Sequence, residues 1–275
     1  MTIQKLWNDI HKHALHKGFG IIGNVIFPNN GKPVVERRPC TCIVLSQALK
    51  ENNIANMLFG YFNEPTLRLV FEELAEVPSD VVEAYRAFAA VTEGGRVVTW
   101  GNTKYGWDSS KVEEELTSGV VKVVATMWAF AAVTEGGRVV TWGDAKNGGD
   151  SRRVAGELAS GVVQVVATDF AFAALKVGGS VVTWGSAGYG GDSSGVAGEL
   201  ASGVVRVVAT ASAFAAVTEG GRVVAWGNAW SGGDSRWVAG ELVSGVVEVV
   251  AVSRSRFAAR KKDGQIVSWG GDEFD

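Results

Sequence analysis

Residues 160–200 read SGVVQVVATDFAFAALKVGGSVVTWGSAGYGGDSSGVAGEL. Val162 to Thr168 is short and rich in β-branched residues, which predicts a strand buried on both faces. Phe172 to Leu175 is a second apolar run, and Gly178-Gly179 is a hairpin signal because glycine accepts the positive φ of tight turns. Ser180 to Trp184 supplies a third strand, followed by a glycine-rich loop. Asp192-Ser193 then offers an N-cap ahead of a single helical turn from Val196 to Leu200, or else that stretch is a fourth, outer strand.

The same text recurs. Trp-Gly occurs at Trp100, Trp142, Trp184, Trp226 and Trp269, with spacings of 42, 42, 42 and 43. Phe88, Phe130, Phe172, Phe214 and Phe257 keep the same spacings, and Ser-Gly-Val-Val starts at Ser118, Ser160, Ser202 and Ser244. One small antiparallel sheet cannot bury both of its faces, so repeats of this period stack side by side and usually close into a ring. The expected fold is therefore all-β, a β-propeller of about 42-residue repeats, with five firm blades and room for six or seven. Residues 76–275 are assigned to the repeats and residues 1–75 to an N-terminal segment. Within that segment Ile3, Leu6, Trp7, Ile10 and Ala14 share one face of a helix over residues 3–16. Val25-Ile26-Phe27 and Val34-Val35 suggest a hairpin around Pro28-Asn29-Asn30-Gly31. The remainder is either a decayed blade at about residues 34–75 or a helical cap, with Pro65 opening one helix.

Composition narrows the function. Apolar residues make up 47% of the 275, with 36 glycines and 5 prolines, which suits many short strands and tight turns rather than disorder. The net charge of -3 and the lack of a basic stripe argue against nucleic acid as a partner. No apolar run is long enough for a membrane span. Cys40 and Cys42 cannot form a disulfide framework, which points to an intracellular, reducing compartment. Residues 2–17 are rich in Lys and His with Asp9 as the single acid, so organellar targeting stays open, although arginine is missing there.

At Gly-Gly-Arg-Val-Val-Thr-Trp-Gly the chain resembles the regulator-of-chromosome-condensation (RCC1-like) repeat family, and the Ser-Gly-Val before the first strand is closer in style to the β-lactamase inhibitor protein II. The resemblance covers about residues 76–275. It implies a propeller, and it implies members that exchange nucleotide on a small GTPase, inhibit an enzyme, sense ultraviolet light or act as scaffolds. The Gly-Trp-Arg-His-Thr motif of the light sensors is absent here, and the repeated tryptophans sit at the structural position of the repeat.

Chemistry is sparse. The repeats contain no histidine or cysteine; His11, His13 and His16 all precede them, so a Ser-His or Cys-His nucleophile and the usual zinc sites are excluded from the propeller. Asp108, Asp150, Asp192 and Asp234 read as helix N-caps, and Glu115, Glu157, Glu199 and Glu241 as capping or inter-blade partners. No catalytic residue, metal or cofactor is assigned. Two windows vary between repeats: the one after Trp-Gly (102–105, 144–147, 186–189, 228–231) and the one after the first strand (127–128, 169–170, 211–212, 254–256). Tracing strand directions places both on one face, which is where a fixed frame carries specificity. The candidate binding residues are Tyr105, Trp107, Trp128, Phe170, Tyr189, Trp230 and Trp237. The expectation is a non-catalytic scaffold subunit or protein-interaction module that binds a protein partner or larger complex. The alternatives are a regulator of another enzyme, of inhibitor or exchange-factor type, or a carboxylate-based hydrolase.

Overall fold

A computed structural model describes residues 19–22, 25–28, 80–85, 87–101 and 108–271. The chain divides into two compact parts, Met1–Val81 and Val82–Asp275. In the first part, β1 (Phe19–Ile22) pairs antiparallel with β2 (Val25–Pro28). Val25 to Phe27 is thus a strand, but its partner lies upstream. Ile22 pairs with Val25, so the hairpin closes between these two strands rather than around Pro28 to Gly31. The anticipated helix over residues 3–16 and the blade-or-cap segment at 34–75 lie outside the described residues.

The described residues from Asp80 onward form a β-propeller of five three-stranded sheets, each a sequential meander. They are β3 (Asp80–Ala84), β4 (Ala87–Val91) and β5 (Val97–Gly101); β6 (Val120–Ala125), β7 (Ala129–Thr134) and β8 (Val139–Gly143); β9 (Val162–Ala167), β10 (Ala171–Lys176) and β11 (Val181–Gly185); β12 (Val204–Ala209), β13 (Ala213–Thr218) and β14 (Val223–Gly227); and β15 (Val246–Ala251), β16 (Phe257–Lys261) and β17 (Ile266–Trp269). The stretch beyond the third strand is helical rather than a fourth strand: a short 3-10 segment such as Ser194–Val196. It still closes the outer edge, because the Val181 N–H donates to the Leu200 carbonyl at 2.9 Å.

Burial corrects one expectation. It is the middle strand, Ala-Phe-Ala-Ala, that is buried on both faces; in β10 every residue from Ala171 to Leu175 is buried. The first strand is not. A bulge in each ladder leaves Val121, Val163, Val205 and Val247 unpaired, and they are 55%, 60%, 53% and 44% exposed. An edge strand with no neighbour on its inner side cannot bury both faces, whatever its β-branched content.

Successive sheets stack through one repeated interface. Ala129, Ala131, Val133 and Val139 of the second sheet meet Val165, Phe172, Ala174 and Trp184 of the third. The same pattern joins the third sheet to the fourth and the fourth to the fifth. Within a sheet, Phe172 stacks on Trp184 with centroids 5.2 Å apart. The Trp184 Nε1–H then donates to the Gly148 carbonyl of the preceding repeat at 3.0 Å. Gly148 has φ +104°, and a Cβ there would lie 2.5 Å from the Phe172 ring, so only glycine lets the loop settle on the aromatic pair. At the opposite end the Val204 N–H donates to the Gly179 carbonyl at 3.0 Å, with Val120, Val162 and Val246 doing likewise in their repeats. The repeated glutamates are inter-repeat partners: Glu115 pairs with Arg138 and Glu199 with Arg222, and Glu241 accepts from Gln265 at 2.6 Å. These contacts are exposed and add little stability.

The fifth sheet departs from its sisters on the face that elsewhere packs against the next sheet. Arg256 and Arg260 stand where the fourth sheet has buried Ala213 and Val217, and Ile266, 58% exposed, stands where it has Val223. Arg260 pairs there with Glu248. Val217→Arg should therefore cost about 3 kcal/mol or more, because it buries an unpaired charge between sheets. Arg260→Val should change stability by less than about 1 kcal/mol. Urea unfolding of the two variants checks the contrast.

The Asp-Ser pairs cap the outer segments, but through the aspartate. Ser109, Ser151, Ser193 and Ser235 make no capping hydrogen bond with their side chains. Instead, Asp150 Oδ1 accepts from the Arg152 N–H at 3.1 Å, and Asp108, Asp192 and Asp234 do the same two residues on. The serines turn inward: Ser151 Oγ lies 2.9 Å from Thr141 Oγ1 on β8. Hydrogen bonds from the Arg152 side chain, then from its backbone, hold the Asp150 carboxyl down at about 2. A carboxyl held below its unfolded value, about 3.9, adds stability at higher pH that disappears as the pH falls from about 4 towards 2. An NMR titration of Asp150 should show a midpoint at about 2. Arg152→Ala should move that midpoint up towards the ordinary range.

Candidate binding face

Both variable windows lie on one face because the backbone joins them. The Asp144 N–H donates to the Trp128 carbonyl at 2.8 Å, Ser186 to Phe170 at 2.9 Å and Asn228 to Ser212 at 2.9 Å. Each link thus ties the loop after the third strand to the loop after the first. A threonine beneath completes the joint. Thr168 Oγ1 accepts from the Ala171 N–H at 3.0 Å and donates to the Tyr189 carbonyl at 3.0 Å, and Thr126 and Thr210 repeat the arrangement. These threonines are buried. In the sequence they recur as an Ala-Thr pair at the same place in successive repeats.

The first-strand loops are also chained from repeat to repeat. The Tyr85 N–H donates to the Met127 carbonyl, Met127 to Asp169, Asp169 to Ala211 and Ala211 to Arg254, at 2.7–2.9 Å. A continuous main-chain belt therefore fixes the rim, and the side chains on it can vary without altering its path.

On this rim Trp128, Phe170 and Tyr189 come together across the second and third repeats. Trp128 meets Phe170 edge-to-face with centroids 5.4 Å apart, and Phe170 meets Tyr189 at 4.6 Å and 81°. Trp128 is 37% exposed, while Phe170 and Tyr189 are half-buried beneath it. Trp230 stands apart in the 3-10 segment Ala229–Ser231 of the fourth repeat and is 75% exposed. Trp237 is also exposed, but it is carried by the outer segment Arg236–Val238 rather than by either window. Tyr105 and Trp107 lie outside the described residues.

The rim also holds charge. Arg254 pairs with Asp169, reaching across the whole fourth repeat. Both residues lie in the variable window after the first strand, and the last spacing, 43 instead of 42, gives the fifth repeat a longer loop there. Away from the rim, solvent-open grooves separate the outer segments. One of about 1100 Å³ lies between the first and second repeats, lined by Lys111, Glu115, Arg138 and Asp150. A smaller one of about 430 Å³ recurs between the third and fourth, so the groove is a by-product of the repeat.

The titratable groups are arranged for structure. Asp108, Asp150, Asp192 and Asp234 are all held below the ordinary carboxylate range by hydrogen bonds from the residue two positions on. That holds them ionised, the reverse of what a general acid needs. Burial raises Glu83 on β3. Among the described residues no group of three or more His, Cys, Asp or Glu side chains converges as a metal site, and no helix is long and apolar enough to cross a membrane.

No protein family's sequence model matches the chain, and no characterised protein matches it by sequence. Solved structures similar to it include human WBSCR16, at 18% identity and a TM-score of 0.43 over 69% of this chain and 61% of that one. Another is Prp20p from Saccharomyces cerevisiae, studied for its binding to Gsp1p and histones, at 17% identity and a TM-score of 0.44 over 70% of this chain and 56% of that one. A third is the computationally designed Ika8 protein, at 10% identity and a TM-score of 0.35 over 69% and 57%. The chain thus spans about three fifths of the first two of these structures.

Proposed function

We propose that the chain is a non-catalytic protein-binding module, a scaffold or complex subunit, that engages a protein partner through the variable rim of the propeller. The observation that carries this reading is the cluster of exposed Trp128 with half-buried Phe170 and Tyr189, joined on the same rim by exposed Trp230, on loops whose main chain is fixed by hydrogen bonds. Trp and Tyr dominate the energetics of protein interfaces. Rigid loops also reduce the entropy lost on binding. The ionised aspartates of the outer turns are spent on capping, which leaves no acid–base pair among them for hydrolysis.

The test is quantitative affinity purification with the intact chain and its Trp128→Ala/Trp230→Ala variant. The variant should keep its unfolding transition within about 1 kcal/mol, since both side chains are exposed, and should lose its specific partners. Equal recovery of the same partners by both proteins would overturn the reading.

A further inference from the structure

Three rings of the rim form a row in direct contact. Trp128 lies edge-to-face against Phe170 with centroids 5.4 Å apart, and Phe170 lies against Tyr189 at 4.6 Å. The interplanar angles of 69° and 81° turn each ring against the next, so the row is ridged rather than flat. Beneath the rings the main chain is already used. The Trp128 carbonyl accepts from the Asp144 N–H, the Phe170 carbonyl from the Ser186 N–H and the Tyr189 carbonyl from Thr168 Oγ1. The Trp128 N–H donates to Thr126 Oγ1, and the Tyr189 N–H to the Ser186 carbonyl. The polar tips of the two outer rings are not used. Among the described residues Trp142 Nε1 is the only buried side-chain N or O atom without a partner, so the Tyr189 hydroxyl, also unpaired, reaches water. The Trp128 Nε1–H is unpaired among the described residues too, on a residue that is 37% exposed.

We propose that the row of Trp128, Phe170 and Tyr189 binds a proline-rich segment of a protein partner in the polyproline II conformation, with proline rings against the aromatic rings and peptide carbonyls accepting from the Trp128 Nε1–H and the Tyr189 hydroxyl. The proposal rests on the binding-face reading and names what that face takes. Hydrogen-bond complementarity carries it. A polyproline II segment makes no internal hydrogen bonds, so its carbonyls are free to accept, and proline has no N–H that needs an acceptor in return. The row offers two ring donors above a main chain whose groups are engaged. A peptide adding itself as a β-strand would need those main-chain groups, whereas a proline-rich segment docks on aromatic surface without them. Spacing agrees. With three residues per turn and a rise of about 3.1 Å, positions three apart on one side of the segment are about 9.3 Å apart. Trp128 and Tyr189 stand no farther apart than their two centroid steps laid end to end, so prolines three apart can meet both. The carboxylate beside Phe170, that of Asp169, is paired with Arg254 and places no demand for charge on the ligand. A stiff ligand on a fixed rim also loses little conformational entropy. The five prolines of this chain, Pro28, Pro33, Pro39, Pro65 and Pro78, include no two that are three apart, so the segment belongs to another protein.

The test uses the full chain and a fluorescein-labelled peptide, Ala-Pro-Pro-Leu-Pro-Pro-Leu-Pro with blocked ends, read by anisotropy against a control in which every proline is replaced by glutamine. The proline peptide should bind about tenfold more tightly than the control. Its affinity should change less than about twofold between about 50 and about 300 mM salt, because no charge is exchanged. Trp128→Ala should weaken it about tenfold. Tyr189→Phe is the decisive variant: it keeps the ring and its packing, removes only the hydroxyl, and should weaken binding about fivefold. Urea unfolding of each variant confirms that the fold is kept. Equal binding of the two peptides, affinity unchanged by Tyr189→Phe, or tighter binding of a trimethyllysine peptide, which would assign the rings to a cation, would each overturn the proposal. If the proline peptide fails while partner recovery still depends on Trp128 and Trp230, the polyproline class is wrong and the binding face stands.

Discussion

The architecture depends on one contact made anew at three successive joints, from the second repeat to the fifth: the indole N–H of a repeat's tryptophan donating to a glycine carbonyl of the repeat before it, over a buried phenylalanine ring. A three-stranded sheet alone leaves both faces wet. The Phe-Trp stack gives each sheet a large apolar face, and the glycine loop of its predecessor covers that face and satisfies its polar atom. Trp184, Trp226 and Trp269 all find this partner, at 2.9–3.0 Å. The small alanines of the middle strand let the sheets approach closely, as the complete burial of Ala129, Ala171 and Ala213 shows.

Given that joint, the two ends of the sheets serve different purposes. At the Gly-Gly end the chain of one repeat passes so close to the next that a Cβ on Gly179 would lie 2.5 Å from the Gly203 nitrogen, which keeps the turns monotonous. At the other end the main chain is also fixed, by the belt from Tyr85 to Arg254, but the side chains project from it rather than into it. Substitution there changes what the rim presents without disturbing the stack. The fifth sheet differs in carrying polar residues, Arg256 and Arg260, where the fourth has Ala213 and Val217.

The candidate site was partly legible. The aromatic positions and their common face follow from periodicity and strand direction, because repeats at a fixed spacing must present equivalent loops on the same side. That Trp128, Phe170 and Tyr189 touch could not be read, since they come from two repeats and meet only through the stagger of the sheets. Nor could the Arg254–Asp169 pair, which joins residues 85 apart across an intervening repeat. The buried threonines and the aspartate caps carried sequence signals, but their hydrogen-bond partners depend on loop conformation rather than on spacing.

By itself the sequence determined the number of firm sheets, their strands, the glycine turns and the face on which variation falls, because a period of 42 residues imposes the same local structure each time. Only the tertiary structure decided which strand is buried on both faces, which carboxylates are used up in caps and ion pairs, and where on the rim aromatic surface gives way to arginine. Those properties arise between repeats, where side chains distant in sequence share one surface and compete for the same solvent.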